Sequence, residues 1–513
     1  MLQIRNLTLT HKKDLRVLIK DLSFNLNKGD KAAIIGEEGN GKSTLLKLIY
    51  DAKLVEGYIE YTGDIIKNNL KLGYLAQELP QDDNAKTVYE FCSNNPHFFD
   101  ITPKELANIA YWLGLPCDIF YSDQIVGTLS GGEKVKLQFS SILMNNPDIL
   151  LLDEPSNDID INTLEWLERF INSCEQPVLF VSHDETLLER TANTIIHLEL
   201  VRRKTMPRHT VAQMGYRDYV EQRQSKLEHQ EQIARKERSE FEKKMEKYRR
   251  IFQQVEHEQN TISRSNPSGG RLLKKKMKSV KSLGRRLEKE KENITQIPDV
   301  EEEIMLKFNE GIFIPNGKTV LELEIDKLQM GERILANNIS LNITGPEKVC
   351  IVGENGSGKT TLLKLIADML LARKDINAAY MPQNYEEMLN LSKTPVEFLA
   401  PSGDKGDITR VRTLLGSVKY TADEMEHPIS ELSGGQKAKL LFIKMILQNS
   451  NVLILDEPTR NFSPLSNPVI RDILRSFKGC IISVSHDRKY ITQVCSKIYE
   501  LTENGLLETR VKV

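Results

Sequence analysis

The chain has 513 residues, 40% of them hydrophobic and 28% charged, with a formal net charge of −2. That length accommodates two or three domains with full cores. No apolar run reaches the roughly eighteen residues a membrane helix needs, which excludes a helical span. The opening MLQIRNLTLTHKK lacks a signal-peptide pattern, so a cytoplasmic location is expected. Cys92, Cys117, Cys174, Cys350, Cys480 and Cys495 are scattered without a CxxC pair, which fits reduced thiols and argues against a metal cluster.

Residues 1–35 alternate as strands do. The apolar run Lys31–Ile35 leads into Gly36-Glu37-Glu38-Gly39-Asn40-Gly41-Lys42-Ser43, and the helical run STLLKLIY follows. This is the phosphate-binding pattern GxxxxGK[ST] in its strand-to-helix setting. Gly36, Gly39 and Gly41 let backbone N–H groups turn inward around phosphates. Lys42 adds a cation at the terminal phosphates, and Ser43 can ligate Mg²⁺, with Thr44 beside it. Gln77, in GYLAQE, follows a predicted strand and carries no meaning alone.

Leu129-Ser130-Gly131-Gly132-Glu133-Lys134 opens a helical run. Its small residues expose N–H groups at a helix N-terminus, a natural anion site. The strand Ile149–Leu152 ends in Asp153-Glu154, and two carboxylates there are costly unless they hold a metal or activate water. Asp153 is read as a Mg²⁺ ligand and Glu154 as the group that polarises the attacking water. The strand Val178–Val181 precedes Ser182-His183-Asp184. A lone histidine is more often structural, but its place after the acidic pair points to a γ-phosphate contact.

Residues 201–300 hold 26 Lys+Arg against 14 Asp+Glu, so the rest of the chain is acidic. Phe241, Met245, Tyr248, Phe252 and Val255 step by three and four, as do Leu273, Met277, Val280, Leu283 and Leu287. Each set makes one narrow apolar stripe, as in a coiled-coil hairpin. Ser265-Asn266-Pro267-Ser268-Gly269-Gly270 is expected to break the helix and turn the chain. Arg264, Arg271, Lys274, Lys275, Lys276, Lys278 and Lys281 lie in a stretch without acids, which suits a polyanion better than a merely solvated linker.

The first half's motifs then return in order. Gly353, Gly356, Gly358, Lys359, Thr360 and Thr361 belong to a second phosphate loop. Gln383 follows, then Ser433-Gly434-Gly435, then Asp456-Glu457, then His486. The offsets are 317 for the lysines, 306 for the glutamines and 303 for the later motifs, so the second copy is shortened mainly between loop and glutamine. Whole domains are duplicated.

These motifs resemble those of ABC-type ATPase domains across nearly all of both halves. The resemblance implies an α/β fold with two tandem ABC-type P-loop ATPase domains, at 1–200 and 301–513, joined by a helical hairpin at 201–300. It implies ATP and Mg²⁺, sandwiched between one half's phosphate loop and the other half's glycine signature. One site would combine Lys42, Ser43, Gln77, Asp153, Glu154 and His183 with Ser433, Gly434 and Gly435. The other would combine Lys359, Thr360, Gln383, Asp456, Glu457 and His486 with Ser130, Gly131 and Gly132. Gln77 and Gln383 join Ser43, Asp153, Thr360 and Asp456 as implied metal ligands. ABC domains often stack an aromatic on adenine; the matching places here hold Lys12–Asp14 and Met330.

Two such domains joined by a basic hairpin resemble the ABC-F family. The tip SNPSGGRLLKKKMKS and the segment PTRNFSPLSNP look most like its antibiotic-resistance subgroup, which protects ribosomes. That likeness implies a monomer with intramolecular pairing of its ATPase domains and no need for a membrane partner. It implies binding at the ribosomal tRNA exit site, with contacts to large-subunit rRNA and bound tRNA. It also implies relief of pleuromutilins, lincosamides and streptogramin A at the peptidyl-transferase centre. Two other readings stay open: a housekeeping ABC-F factor for stalled ribosomes, and the ATPase component of a membrane transporter.

Overall fold

The computed structural model describes residues 1–261, 267–298, 300, 304, 306–309, 311–331 and 333–509. Arg264 therefore lies outside the described residues. One compact unit comprises Met1–Tyr216 with Glu301–Val513, and the other is Arg217–Val300.

Each half of the first unit is built on a six-stranded sheet. In the first half the spatial order is Leu72–Leu75, Ile149–Asp153, Val178–Val181, Lys31–Ile35, Thr194–Leu200 and Met206–Ala212. The second half repeats it with Ala378–Met381, Val452–Asp456, Cys480–Val484, Lys348–Val352, Lys497–Thr502 and Gly505–Thr509. The first five strands of each sheet are parallel and the sixth is antiparallel. Ile149–Asp153 and Val452–Asp456 are buried along their whole length, as strands covered on both faces must be. The expected α/β class holds. Loops at the carboxyl ends of the central strands converge, and such crevices take ligands in open α/β sheets.

One expected boundary shifts. Met206–Ala212 pairs antiparallel with Thr194–Leu200, so the first domain runs past residue 200 to about Tyr216. That strand covers what would otherwise be an open sheet edge. The shortening of the second copy is a missing strand. The first half carries Ile59–Ile66 against Leu2–His11, whereas the second runs from the helix Lys359–Leu371 directly to Ala378–Met381.

The second unit consists of two helices, Tyr216–Thr261, whose first residue belongs to the first unit, and Pro267–Glu292. The second helix starts at Pro267, earlier than the expected break through Gly270. Proline suits a first helical position because its missing N–H would be unpaired there anyway. Val255, Val280 and Leu287 are buried as expected, but Leu283 is exposed. Gly284 takes the seam instead, where an added Cβ would stand 2.6 Å from the Tyr248 hydroxyl. Arg271, Lys274, Lys275, Lys276, Lys278 and Lys281 are all exposed. Among the described residues, only Lys276 of these has an acid nearby, Glu258 at 3.8 Å. No described helix is long and apolar enough to cross a membrane.

The two halves of the first unit meet through buried ion pairs. Arg471 and Glu185, only 3% and 7% exposed, form a two-point contact. Arg488 reaches Glu168 and Asp184, and Lys489 reaches Glu185 and Glu189. In these contacts between the halves the acids come from the first half and the cations from the second, whereas Lys204 of the first half pairs with Glu424 of the second. Removing one member of a buried pair strands the other, typically costing about 3–5 kcal/mol, whereas replacing both with matched neutral groups costs far less. Glu185→Gln is therefore expected to lower the thermal unfolding midpoint sharply. Glu185→Gln with Arg471→Met should recover most of that loss. Equal losses in the single and double variants would remove the pair from the interface energetics.

Candidate functional site

Both phosphate loops leave the carboxyl end of a central strand. Gly36 has φ 144, and a Cβ there would stand 2.2 Å from the Leu198 carbonyl oxygen, so any other residue collides. Gly41, at φ 84, ends the loop and precedes the helix Lys42–Tyr50. Gly353 and Gly358 repeat these conformations ahead of Lys359–Leu371. Lys42 donates to the carbonyls of Gly36 and Glu37 at 2.8 and 2.9 Å. Lys359 does the same to Gly353 and Glu354 at 2.9 and 2.8 Å. Each ammonium is thus held in the mouth of its own loop.

The acidic pairs stand where the strand pattern puts them. Glu154 and Glu457 both have φ 50, a left-handed conformation that costs a glutamate about 1–2 kcal/mol. Such local strain collects at functional positions. The turn follows directly on the strand and re-aims the carboxylate. The Ser43 hydroxyl donates to Asp153 Oδ1 at 2.8 Å, so the two expected metal ligands already converge. In the second copy Asp456 Oδ2 is buried with no hydrogen-bond partner among the described residues. Burial pushes the Asp456 carboxyl up to about 6, with the Thr360 hydroxyl working against it. A sheltered carboxylate oxygen beside a hydroxyl and a loop lysine fits a nucleotide with its Mg²⁺, whose charge would relieve that cost.

The two glutamates differ electrostatically although their side chains are equally sheltered, 13% and 14% exposed. Burial pushes Glu154 up, but His183 at 3.3 Å, Lys42 and Asn157 outweigh it and hold the carboxyl down to about 2. Gln77 adds a bond of 3.1 Å. Burial and repulsion from Asp456 push Glu457 up to about 8. His486 stands farther off, at 3.8 Å. Burial and the Lys359 charge hold His486 down to about 4, so it brings no charge at neutral pH. His183 Nδ1 lies 2.7 Å from the Phe462 carbonyl of the other half. His486 Nδ1 has no partner among the described residues.

The glycine signatures are helix N-termini, as expected. Ser130 and Ser433 cap Gly131–Met144 and Gly434–Leu447 through reciprocal bonds with Glu133 and Gln436. Each signature lies against the other half's phosphate loop. The Gly435 N–H donates to Glu38 Oε2 at 2.6 Å. On the opposite side a Cβ on Gly131 would come within 3.2 Å of Asn355 Nδ2. A Cβ on Gly132 would collide with Thr163 at 2.4 Å.

A cavity of about 470 Å³ opens over the second phosphate loop. It is lined by Gly131, Gly356, Gly358, Lys359, Thr360, Thr361, Gln383, Asp456, Glu457 and His486. Ser130 and Gly132 do not line it. Met330 does, which matches its expected place. In the first copy the strand register differs from expectation: His11 pairs with Arg16 as Met330 pairs with Arg333. His11 rather than Lys12–Asp14 is thus the matching residue, and it bonds Asp14 at 2.7 Å. Sequence reasoning missed Asp158. Its carboxylate takes Arg460 at 2.7 Å and Gln383 at 3.2 Å, and its carbonyl takes Asn355 at 2.6 Å. The available signal was the change from PSNDID in the first copy to PTRNFSP in the second. Gln383 therefore turns to Asp158 of the other half, whereas Gln77 turns to its own Glu154.

The family described as "ABC transporter" matches residues 19–157 and 336–460. "Ribosome protection protein VmlR" of Bacillus subtilis (strain 168) is 30% identical over 510 residues, covering 96% of this chain and 85% of that protein. "ABC transporter F family member 2" of Arabidopsis thaliana is 27% identical over 545 residues, covering 96% of this chain and 75% of that protein. Among solved structures, the archaeal ribosome recycling factor aABCE1, in complex with the ribosomal stalk protein aP1, shares the fold. Its TM-score is 0.59 at 17% identity, over 98% of this chain and 90% of that one.

The raised Glu457 carboxyl has a consequence for stability. Between its ordinary value of 4.5 and about 8, the folded protein keeps a proton that the unfolded chain has lost. Stability then falls as pH rises through that window and levels off above it. Asp456, between 3.8 and about 6, adds the same sign. Glu457→Gln cannot ionise. In nucleotide-free, Mg²⁺-free protein its melting temperature should gain on the wild type as pH rises from below 4.5 to above 8. A difference that stays constant with pH would contradict the assigned shift.

Proposed function

This chain belongs to the ABC-F family of ATP-binding proteins, and we propose that it binds ribosomes and protects them from antibiotics at the peptidyl-transferase centre. It is an ATPase. In this reading ATP draws each phosphate loop against the other half's signature, and the closed form occupies the tRNA exit site. Hydrolysis releases it. Lys42 and Lys359 hold terminal phosphates, and Ser43 with Asp153 and Thr360 with Asp456 hold Mg²⁺. The metal neutralises phosphate charge when bound. Glu154 and Glu457 orient the attacking water, with His183 and His486 beside the γ-phosphate. Ser130–Gly132 and Ser433–Gly435 complete the sites from across the interface.

The observation that carries the ribosomal part is the row of exposed cations from Arg271 to Lys281, on a helix whose apolar stripe is already used in its own hairpin. Apart from Lys276, which lies 3.8 Å from Glu258, those cations have no acid nearby among the described residues, and phosphates are the ligands they suit. The 30% identity to a protein named for ribosome protection supports the finer reading. The pleuromutilin, lincosamide and streptogramin A classes are the ones to examine first.

Glu154→Gln with Glu457→Gln is expected to bind ATP, cut turnover by about a hundredfold or more, and stay with ribosomes in a pelleting assay. Wild-type turnover in that variant would overturn the assignment of the acids. Replacing Lys274, Lys275, Lys276 and Lys278 with Gln should weaken ribosome binding and flatten its log–log salt dependence, by about 0.7–0.9 for each phosphate no longer neutralised. An unchanged slope would leave the basic row merely solvated. Expression in a drug-sensitive host separates the readings. Ribosome binding without a rise in the inhibitory drug concentration would favour the housekeeping role.

A further inference from the structure

The two phosphate loops differ at the third position: Glu38 in the first, Asn355 in the second. Asn355 donates its amide to the Asp158 carbonyl at 2.6 Å. Glu38 instead places a carboxylate oxygen 2.6 Å from the Gly435 N–H, at the head of the signature helix Gly434–Leu447. An anion already accepts the hydrogen bond that the helix N-terminus offers to a phosphate. Its neighbour Glu37 anchors the contact. Glu37 is buried, accepts from the Ser463 hydroxyl at 2.6 Å and from the Ser466 hydroxyl, and lies 3.9 Å from Lys439.

The surroundings are fitted to this arrangement. At the offset of 303, Asn461 and Ser463 correspond to Asp158 and Asp160 of the first copy. An aspartate at 463 would face Glu37 at hydrogen-bond range and repel it. Beyond the glutamate shared by both loops (Glu37 and Glu354), the acids stand on the phosphate loop at the first site and on the opposing segment at the second. Glu38 is also the exposed member of its pair, so its carboxylate is free to swing into solvent.

We propose that Glu38 sets nucleotide discrimination at the first site by occupying the signature N–H meant for the γ-phosphate. The loop itself cradles the α- and β-phosphates, so ADP does not compete with Glu38. ATP does, because its terminal phosphate meets a carboxylate of like charge on the same donor. The first site therefore takes ADP without hindrance and ATP only after Glu38 has moved away. The second site, with neutral Asn355, has no such barrier and fills first. The inference rests on the reading of each site as shared between loop and opposing signature.

The test uses the full chain carrying Lys359→Ala, so that binding reports the first site. Affinities for ADP and for a non-hydrolysable ATP analogue are measured with Mg²⁺. Glu38→Asn is expected to tighten the analogue about tenfold and to leave ADP within about twofold, the size of one charge-assisted hydrogen bond. Glu38→Gln, which keeps the shape and loses the charge, should fall between Glu and Asn, and it serves alone if the Asn variant folds poorly. An unchanged or weaker analogue affinity overturns the proposal, as does an equal gain for ADP. Lys42→Ala in the same background separates the two ideas. If it leaves binding intact, the site assignment itself fails; if it abolishes binding while Glu38→Asn changes nothing, only the role of Glu38 fails.

Discussion

The contact between Arg471 and Glu185 is the constraint on which the first unit depends. Two charges taken almost wholly out of water must stay together, because either alone is costly. Arg488 and Lys489 extend the pair into a one-sided cluster, with acids from the first half and cations from the second. Such a cluster holds one edge of the interface whatever occupies the phosphate loops. It also aligns what lies beside it. Glu185 follows His183 and Asp184 at the end of Val178–Val181, and Arg488 follows His486 and Asp487 at the end of Cys480–Val484. The ion pairs and the two histidines are thus adjacent parts of the same loops.

The electrostatic split between Glu154 and Glu457 grows from that alignment. His183 reaches across to the Phe462 carbonyl and stands close to Glu154. His486 finds no such acceptor among the described residues and stands farther from Glu457. Against burial, His183, Lys42 and Asn157 hold the Glu154 carboxyl down to about 2, whereas burial and Asp456 raise that of Glu457 to about 8. Two copies of one motif, similarly sheltered, are thus pushed in opposite directions. Burial alone would have raised both.

Most of the fold was legible because the duplication repeats strong local signals. Lys31–Ile35 and Val178–Val181 are strands over the residues their apolar runs suggested. The phosphate loops, signature helices and acid-tipped strands stand at their expected places. What escaped depends on partners that no periodicity encodes. Asp158 meets residues roughly two to three hundred positions away, and Glu38 meets Gly435 across 397. Leu283 matched the heptad spacing, yet the seam rotates so that Gly284 meets Tyr248. A stripe drawn by counting threes and fours cannot resolve a shift of one residue when its neighbour is glycine. The extra edge strand Met206–Ala212 was hidden by its basic, half-exposed composition.

The placement of acids also explains why the two halves pair with each other. A first half set against a second copy of itself would bring Glu37 and Glu38 toward Asp160 and Asp158. Four carboxylates would then face one another, and like charges at such range repel. A second half against its own copy would present neutral Asn355 to Asn461, with Glu354 in the place of Glu37. Arg471 and Arg488 would then also stand where Glu168 and Glu185 stand in the mixed pair, setting cation against cation. The mixed pair avoids these repulsions, so specificity arises from penalties on the wrong pairings as well as from contacts in the right one. The tether between the halves adds a high effective concentration to that choice. Divergence of the two copies is therefore a condition for their intramolecular association, and the asymmetry of the sites follows from it.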